Sequence, residues 1–163
     1  MTMFRIAIGV FLLASATACS EQAETIRTYN MGERVQAGPL VYDAFQTNWS
    51  LKLGDGADAR LPANRFLLVR LSIHNGGATD SGVPTLSLVD DRGQVFNELT
   101  DGTGVNNWLG IVRKIGPIQA KEGEVAFDVP PRHYRLRVAD ETDQIAAYID
   151  LPLTIDLDTR VPE

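Results

Sequence analysis

Cysteine occurs once and histidine twice in the 163 residues. Disulfide frameworks, cysteine-rich zinc sites and iron–sulfur clusters are thereby excluded, because each needs several such ligands close together. Basic residues are scarce too: 15 Lys and Arg against 21 Asp and Glu leave a net charge of −6. That sign repels a phosphate backbone, so nucleic acid is not an expected partner. Aromatic residues amount to only 7%. Beyond the first 18 residues no window of about twelve carries a 3.6-residue apolar stripe, so amphipathic helices are not expected. What remains, 44% apolar and 22% charged, is the balance of one globular domain, not of a disordered or collagen-like chain.

The chain opens with a basic residue, Arg5, then an apolar stretch from Ile6 to Ala14, then the small residues Ser15 to Ala18. This is the layout of a secretory signal. Nine residues of helix span about 14 Å against a hydrocarbon core about 30 Å thick, so residues 1–18 are expected to be cleaved and not to span a bilayer. The sole cysteine, Cys19, follows directly on Ala16-Thr17-Ala18. The tract resembles a bacterial lipobox, with Ala16 where Leu is commonest, and the resemblance implies lipidation of the Cys19 sulfur. Ala16-Thr17-Ala18 also fits an A-x-A secretory site, which would leave a soluble secreted protein with an N-terminal thiol. By the same resemblance Ser20, unlike Asp at that position, implies outer-membrane sorting in a diderm envelope. Acyl chains contribute about 0.8 kcal/mol per buried methylene, so the expected partner of Cys19 is the lipid bilayer. Cleavage removes one of the 15 bases and none of the 21 acids, moving the net charge from −6 to −7. Residues 20–28 are polar without periodicity and read as a tether, and residues 159–163 as a C-terminal tail.

Over residues 29–158 the dominant period is two. Leu67, Val69, Leu71 and Ile73 fall on one face against Arg70, Ser72 and His74. Leu86 and Leu88 alternate with Thr85 and Ser87; Val125, Phe127 and Val129 with Glu124 and Asp128; Tyr134, Leu136 and Val138 with Arg135 and Arg137. The last run takes Ala147, Ile149, Leu151, Leu153, Ile155 and Leu157 inward, with Pro152 marking an edge or an end because it cannot donate to a ladder. Turn signals separate the runs: Asn75-Gly76-Gly77, Asp91-Arg92-Gly93, Lys121-Glu122-Gly123 and Pro130-Pro131. Asp91-Arg92-Gly93 reads as a hairpin with its Gly at positive φ. Between Leu40 and Leu53 an odd-numbered face of Val41, Phe45, Trp49, Leu51 and Leu53 is interrupted by Asp43 and Thr47, which predicts a β-bulge or a break into two strands. About seven or eight short strands, each with one apolar face, predict an all-β fold, an immunoglobulin-like antiparallel β-sandwich without the antibody disulfide.

Four stretches then carry a resemblance: Tyr29-Asn-Met-Gly-Glu-Arg-Val, Phe66-Leu-Leu-Val-Arg-Leu-Ser-Ile-His-Asn-Gly-Gly, Leu86-Ser-Leu-Val-Asp-Asp-Arg-Gly and Ala126-Phe-Asp-Val-Pro-Pro. Their order over residues 29–139 resembles the bacterial telokin-like domain of unknown function 4352. The resemblance implies an immunoglobulin-like sandwich that commonly sits behind a lipoprotein signal. It implies no activity, so no site residue transfers.

Local chemistry is thin. His74 and His133 are the only candidate bases for a nucleophilic triad, neither lies in a recognisable motif, and both are expected to be solvated strand ends. Metal ligands do not cluster: Asp55, Asp58 and Asn64 sit in a loop with some likeness to a calcium loop, but Phe66 stands where an EF-hand starting at Asp55 would place its Glu. Gly102-Thr103-Gly104 lacks both the third glycine and the βαβ context of a dinucleotide site. The segment Asp101 to Gly110 holds Asn106, Asn107 and Trp108 between glycines. Trp108 either anchors a partner from that loop or tucks back to close one end of the sandwich. Arg135 and Arg137, on one outer strand face, suit an acidic surface or neighbouring acids such as Asp128. The expectation is a non-enzymatic, lipid-anchored envelope protein without metal or cofactor, recognising a protein or small ligand through loops. A structural accessory subunit of an envelope assembly is the alternative, and a hydrolase or metal-dependent enzyme the remote one.

Overall fold

The computed structural model describes residues 26–154. Cys19, the expected signal at residues 1–18, residues 20–25, Ile155, Leu157 and the expected tail at 159–163 lie outside the described residues. Among those described, eleven strands form in the order β1 (Thr28–Asn30), β2 (Val35–Ala37), β3 (Leu40–Ser50), β4 (Phe66–Asn75), β5 (Ser81–Val83), β6 (Ser87–Asp90), β7 (Val95–Asn97), β8 (Arg113–Ile115), β9 (Ala120–Asp128), β10 (Tyr134–Ala139) and β11 (Ala146–Leu151). The number exceeds the expected seven or eight because β1, β2, β5, β7 and β8 are three-residue pieces. A five-stranded sheet, β1-β11-β10-β6-β7, and a four-stranded sheet, β2-β3-β4-β9, make the sandwich, and β5 pairs with β8 in a small third sheet. No described helix is long and apolar enough to cross a membrane.

The alternating faces close on one another as two-sheet packing requires. Leu67, Val69, Leu71 and Ile73 of β4 meet Val125 and Phe127 of β9, Leu86 and Leu88 around β6, Leu136 and Val138 of β10 and Ile149 of β11 in one core. Tyr134 is fully enclosed there, edge-on to Phe96 at 5.6 Å, and its hydroxyl donates to the Pro130 carbonyl at 2.7 Å. Tyr42 crosses between the sheets: its hydroxyl donates to Ala139 O at 2.6 Å, satisfying the one polar atom that burial would strand.

Several local expectations are corrected. The bulge in β3 is present, with the register to β4 shifting between Ala44 and Gln46. Before it, however, Leu40, Tyr42 and Ala44 face the core, so Val41 and Asp43 point outward and Phe45 is exposed. One added residue reverses every later side chain, which is why Trp49 returns to the core side. Thr28 belongs to β1, and β1 runs parallel to β11, so the strand reaches into the expected tether and one pairing is not antiparallel. Ser87, expected to be wet, is buried between Arg137 and Asn97 of the flanking strands. Lys121-Glu122-Gly123 lies inside β9 and is not a turn: a Cβ on Gly123 would fall 2.3 Å from Asn107 O and 3.0 Å from Leu109 Cγ, so the glycine admits a crossing segment. Pro152 marks an end, since β11 lies between β1 and β10. Gly93 does take positive φ, at 78°, closing the β6–β7 hairpin.

A second, small core covers part of the outer face of the four-stranded sheet. Phe66, Leu68 and Ala126 lie on that face, and Leu53, Leu99 and Val105 from the long connections pack over them. The cover stops there. Further along the same face stand Arg70, which pairs with Glu122 at 2.6 Å, and then Ser72 and His74 with Asp43 and Val41 opposite them.

Candidate functional site

Beyond the apolar cover, the four-stranded sheet bears an open concavity of about 170 Å³ lined by Arg34, Val41, Asp43, Ser72 and His74. Ladder geometry assembles it: Val41 is registered opposite His74, and Asp43 opposite Ser72. The bulge after Ala44 ends the regular register just beyond Asp43, a common arrangement where a strand has to aim side chains at a site. Arg34 arrives from the turn before β2. Asp43 Oδ1 is shielded from solvent and has no hydrogen-bond partner among the described residues. His74 is thus a half-buried wall of this concavity and not a freely solvated strand end. No hydrogen bond joins Asp43, Ser72 and His74 among the described residues, so the nucleophile–base contact of a triad is not formed.

The other histidine has a different setting. His133 Nδ1 lies 2.9 Å from Asp91 Oδ1, and Nε2 lies 2.8 Å from Asp150 Oδ1. Two carboxylates can both be served only by an imidazolium, which donates from both nitrogens. The Asp91 bond raises the imidazole pKa above its ordinary value; partial burial works against this and the Asp150 bond adds to it. His133 therefore ties the β6–β7 hairpin to β11, which corrects the expected solvated strand end. Beside it Asp90 accepts from the Arg92 and Gln94 amides and from Arg132. Burial pushes the Asp90 carboxyl up, but these donors outweigh it and the net shift is downward.

The loop residues singled out by sequence are largely engaged internally. Leu109 is buried in the main core, and the Trp108 ring occupies the space beside Gly102, where an added Cβ would fall 1.9 Å from the ring. Trp108, half-buried, thus packs within its own loop. Asn107 accepts the Glu124 amide at 3.0 Å through its carbonyl and donates its side-chain amide to Glu122 O, which fixes the segment against the edge of β9. Asn106 is exposed. Arg135 stacks over Tyr148 at 4.8 Å, and Arg137 pairs with Asp143 at 2.7 Å. Neither reaches Asp128, whose carboxylate instead accepts the Ala63 and Asn64 amides. Asp55 is bonded to Lys52 at 2.8 Å, and among the described residues no three acidic, His or Cys side chains converge as a metal site would require.

Sequence reasoning missed two features. One is the concavity itself: alternation places His74 on the correct outer face of β4, but the odd-numbered face assigned to β3 puts Val41 inward and hides their pairing. The other is a fully enclosed ion pair, Glu98 with Arg113, in which Glu98 Oε1 also accepts the Leu86 amide at 2.7 Å. The available signal was that Arg113 shares parity with Ile111 and Ile115, a charge placed on an apolar face. A second groove, of about 480 Å³, runs past Ile26, Tyr29, Gln36, Arg137 and Ile145.

No protein-family profile and no curated protein sequence matches the chain. Solved structures do. Over 76% of its length the chain is similar to 99% of the yjhA protein of Bacillus subtilis, with a TM-score of 0.60 at 15% identity. Over 78% it is similar to 98% of the secreted protein MPT63 of Mycobacterium tuberculosis, at 0.51 and 12%. Over 74% it is similar to ycdA of Bacillus subtilis, a candidate lipoprotein, at 0.55 and 12%, the match spanning 38% of that chain. At these identities the likeness is one of fold.

Proposed function

We propose that this chain is a lipid-anchored, non-catalytic binding protein of the bacterial cell envelope, held at the outer membrane by acyl chains on Cys19. Membership of the telokin-like domain family 4352 forms part of this reading. The observation that carries it is the placement of the only cysteine directly after a signal-like leader and ahead of a β-sandwich. A candidate lipoprotein and a secreted protein among the structural neighbours support an extracytoplasmic address. The non-catalytic reading is supported by the two histidines: among the described residues His74 has no bonded hydroxyl or acid, and His133 has both ring nitrogens taken by carboxylates. Recognition belongs to the sheet face more than to the loop, because Trp108 is occupied with Gly102 while the Asp43 concavity stands open. A structural accessory subunit docking by a sheet edge is the second reading, favoured by Val95, 59% exposed on edge strand β7.

Detergent phase partitioning of the full chain and its Cys19→Ala variant in cells tests the anchor. The parent should enter the detergent phase and carry an acyl mass, and the variant should move to the aqueous phase. Identical partitioning of the two would overturn the lipid assignment.

A further inference from the structure

We infer that the open half of the outer face of the four-stranded sheet binds a small zwitterion, its ammonium group on Asp43 and its anionic group on Arg34. This rests on the reading of the chain as a binding protein, but not on the anchor at Cys19.

The argument starts from what is unpaired. Arg34, Asp43, Ser72 and His74 converge on one concavity, and none of their side chains forms a hydrogen bond or ion pair with another described residue. On the same face Arg70 is paired with Glu122. Removing a carboxylate oxygen from water without giving it a donor is unfavourable, so Asp43 favours a donor entering the concavity. A simple anion drawn to Arg34 would meet the repulsion of Asp43. A simple cation on Asp43 would make no use of Arg34, whose exposed guanidinium stands at the rim. A ligand carrying both charges satisfies both, with Ser72 able to donate or accept between them. A divalent metal fits poorly, since Asp43 and His74 supply two ligands where such ions take at least four. The apolar wall at Val41 and the limited volume set the size: a short chain joining an ammonium to a carboxylate or phosphate.

That chemistry has two sources, a free amino acid or the ethanolamine-phosphate headgroup of a lipid, and they are separated by the probes. The uniformly ¹⁵N-labelled full chain in detergent is titrated with glycine, with O-phosphoethanolamine, and with ethylammonium and acetate as single-charge controls. Saturable shifts are expected at the amides of Val41, Asp43, Ser72 and His74. At least one zwitterion should bind roughly tenfold or more tightly than either control, and the tighter of the two names the source. Asp43→Asn and Arg34→Gln should each weaken that binding by roughly tenfold with the melting temperature unchanged. No saturable shift with either zwitterion at roughly 10 mM, or equal binding by parent and Asp43→Asn, would overturn the inference. Either failure leaves the partitioning of Cys19→Ala untouched, so the anchor and the ligand are judged separately.

Discussion

Replacing Glu98 with Ala would strand the Arg113 guanidinium in the protein interior, because both side chains of that pair are wholly enclosed. Two costs arise together. The Leu86 amide loses its acceptor at 2.7 Å, and Arg113, whose Nε already has no partner among the described residues, loses its counter-charge. Breaking a buried pair from one side costs about 3–5 kcal/mol, most of it the penalty of an uncompensated charge. With roughly 130 ordered residues the unfolding entropy is about 0.27 kcal/mol per kelvin, so the melting temperature should fall by about 11–18 °C. Arg113→Ala should do nearly as much, since it leaves Glu98 buried with only the Leu86 amide. The double replacement Glu98→Leu with Arg113→Met removes both charges and should recover most of the loss, short of full recovery by the unmatched Leu86 amide. Scanning calorimetry on parent, Glu98→Leu, Arg113→Met and the double variant closes the cycle, the two single replacements being expected to cost about as much as those by Ala. Two single variants that melt with the parent, or a double variant as unstable as the sum of the singles, would refute the reasoning, because either result means the charges are not coupled in a dry interior.

Truncating the core tests the face assignments: Phe127→Ala should cost about 3–5 kcal/mol and Leu71→Ala about 2–5, both sites being fully enclosed between the sheets, and urea midpoints equal to that of the parent would contradict them. The His133 clasp makes stability depend on pH. Its folded pKa is raised above the unfolded value near 6.5, so the contribution is fully present below about pH 6.5 and is lost as pH rises through the folded value. The groups facing the ring are Asp91 and Asp150, with Arg132 and Asp90 beside them. His133→Gln should flatten the fall in stability on the alkaline side of pH 6.5, and an unaltered slope in that variant would dismiss the clasp.

What could be read without coordinates is what one strand decides by itself. Leu67 to Ile73, Tyr134 to Val138 and Ala147 to Leu151 show their faces because a half-buried strand must alternate, and Gly93 shows its turn because few other residues take positive φ. Where the pattern misled, a non-local contact was responsible. In β3 a single bulged position reversed the faces, and the apolar Val41 and Phe45 resembled core residues on a side that the sheet turns outward. Gly123 resembled a turn glycine, but its missing side chain makes room for Leu109 arriving from a distant segment.

The amino-acid order alone therefore determined the all-β class and most strand faces, since periods and turns are encoded within a few neighbouring residues. Only the tertiary structure decided that Asp43 and His74 share a concavity, that His133 lies between Asp91 and Asp150, and that Glu98 meets Arg113 in the dark. These are pairings between strands distant in sequence. The order of strands in a sheet is chosen by the packing of the whole sandwich, so the partner of a charged residue is a property of that packing and not of its own segment.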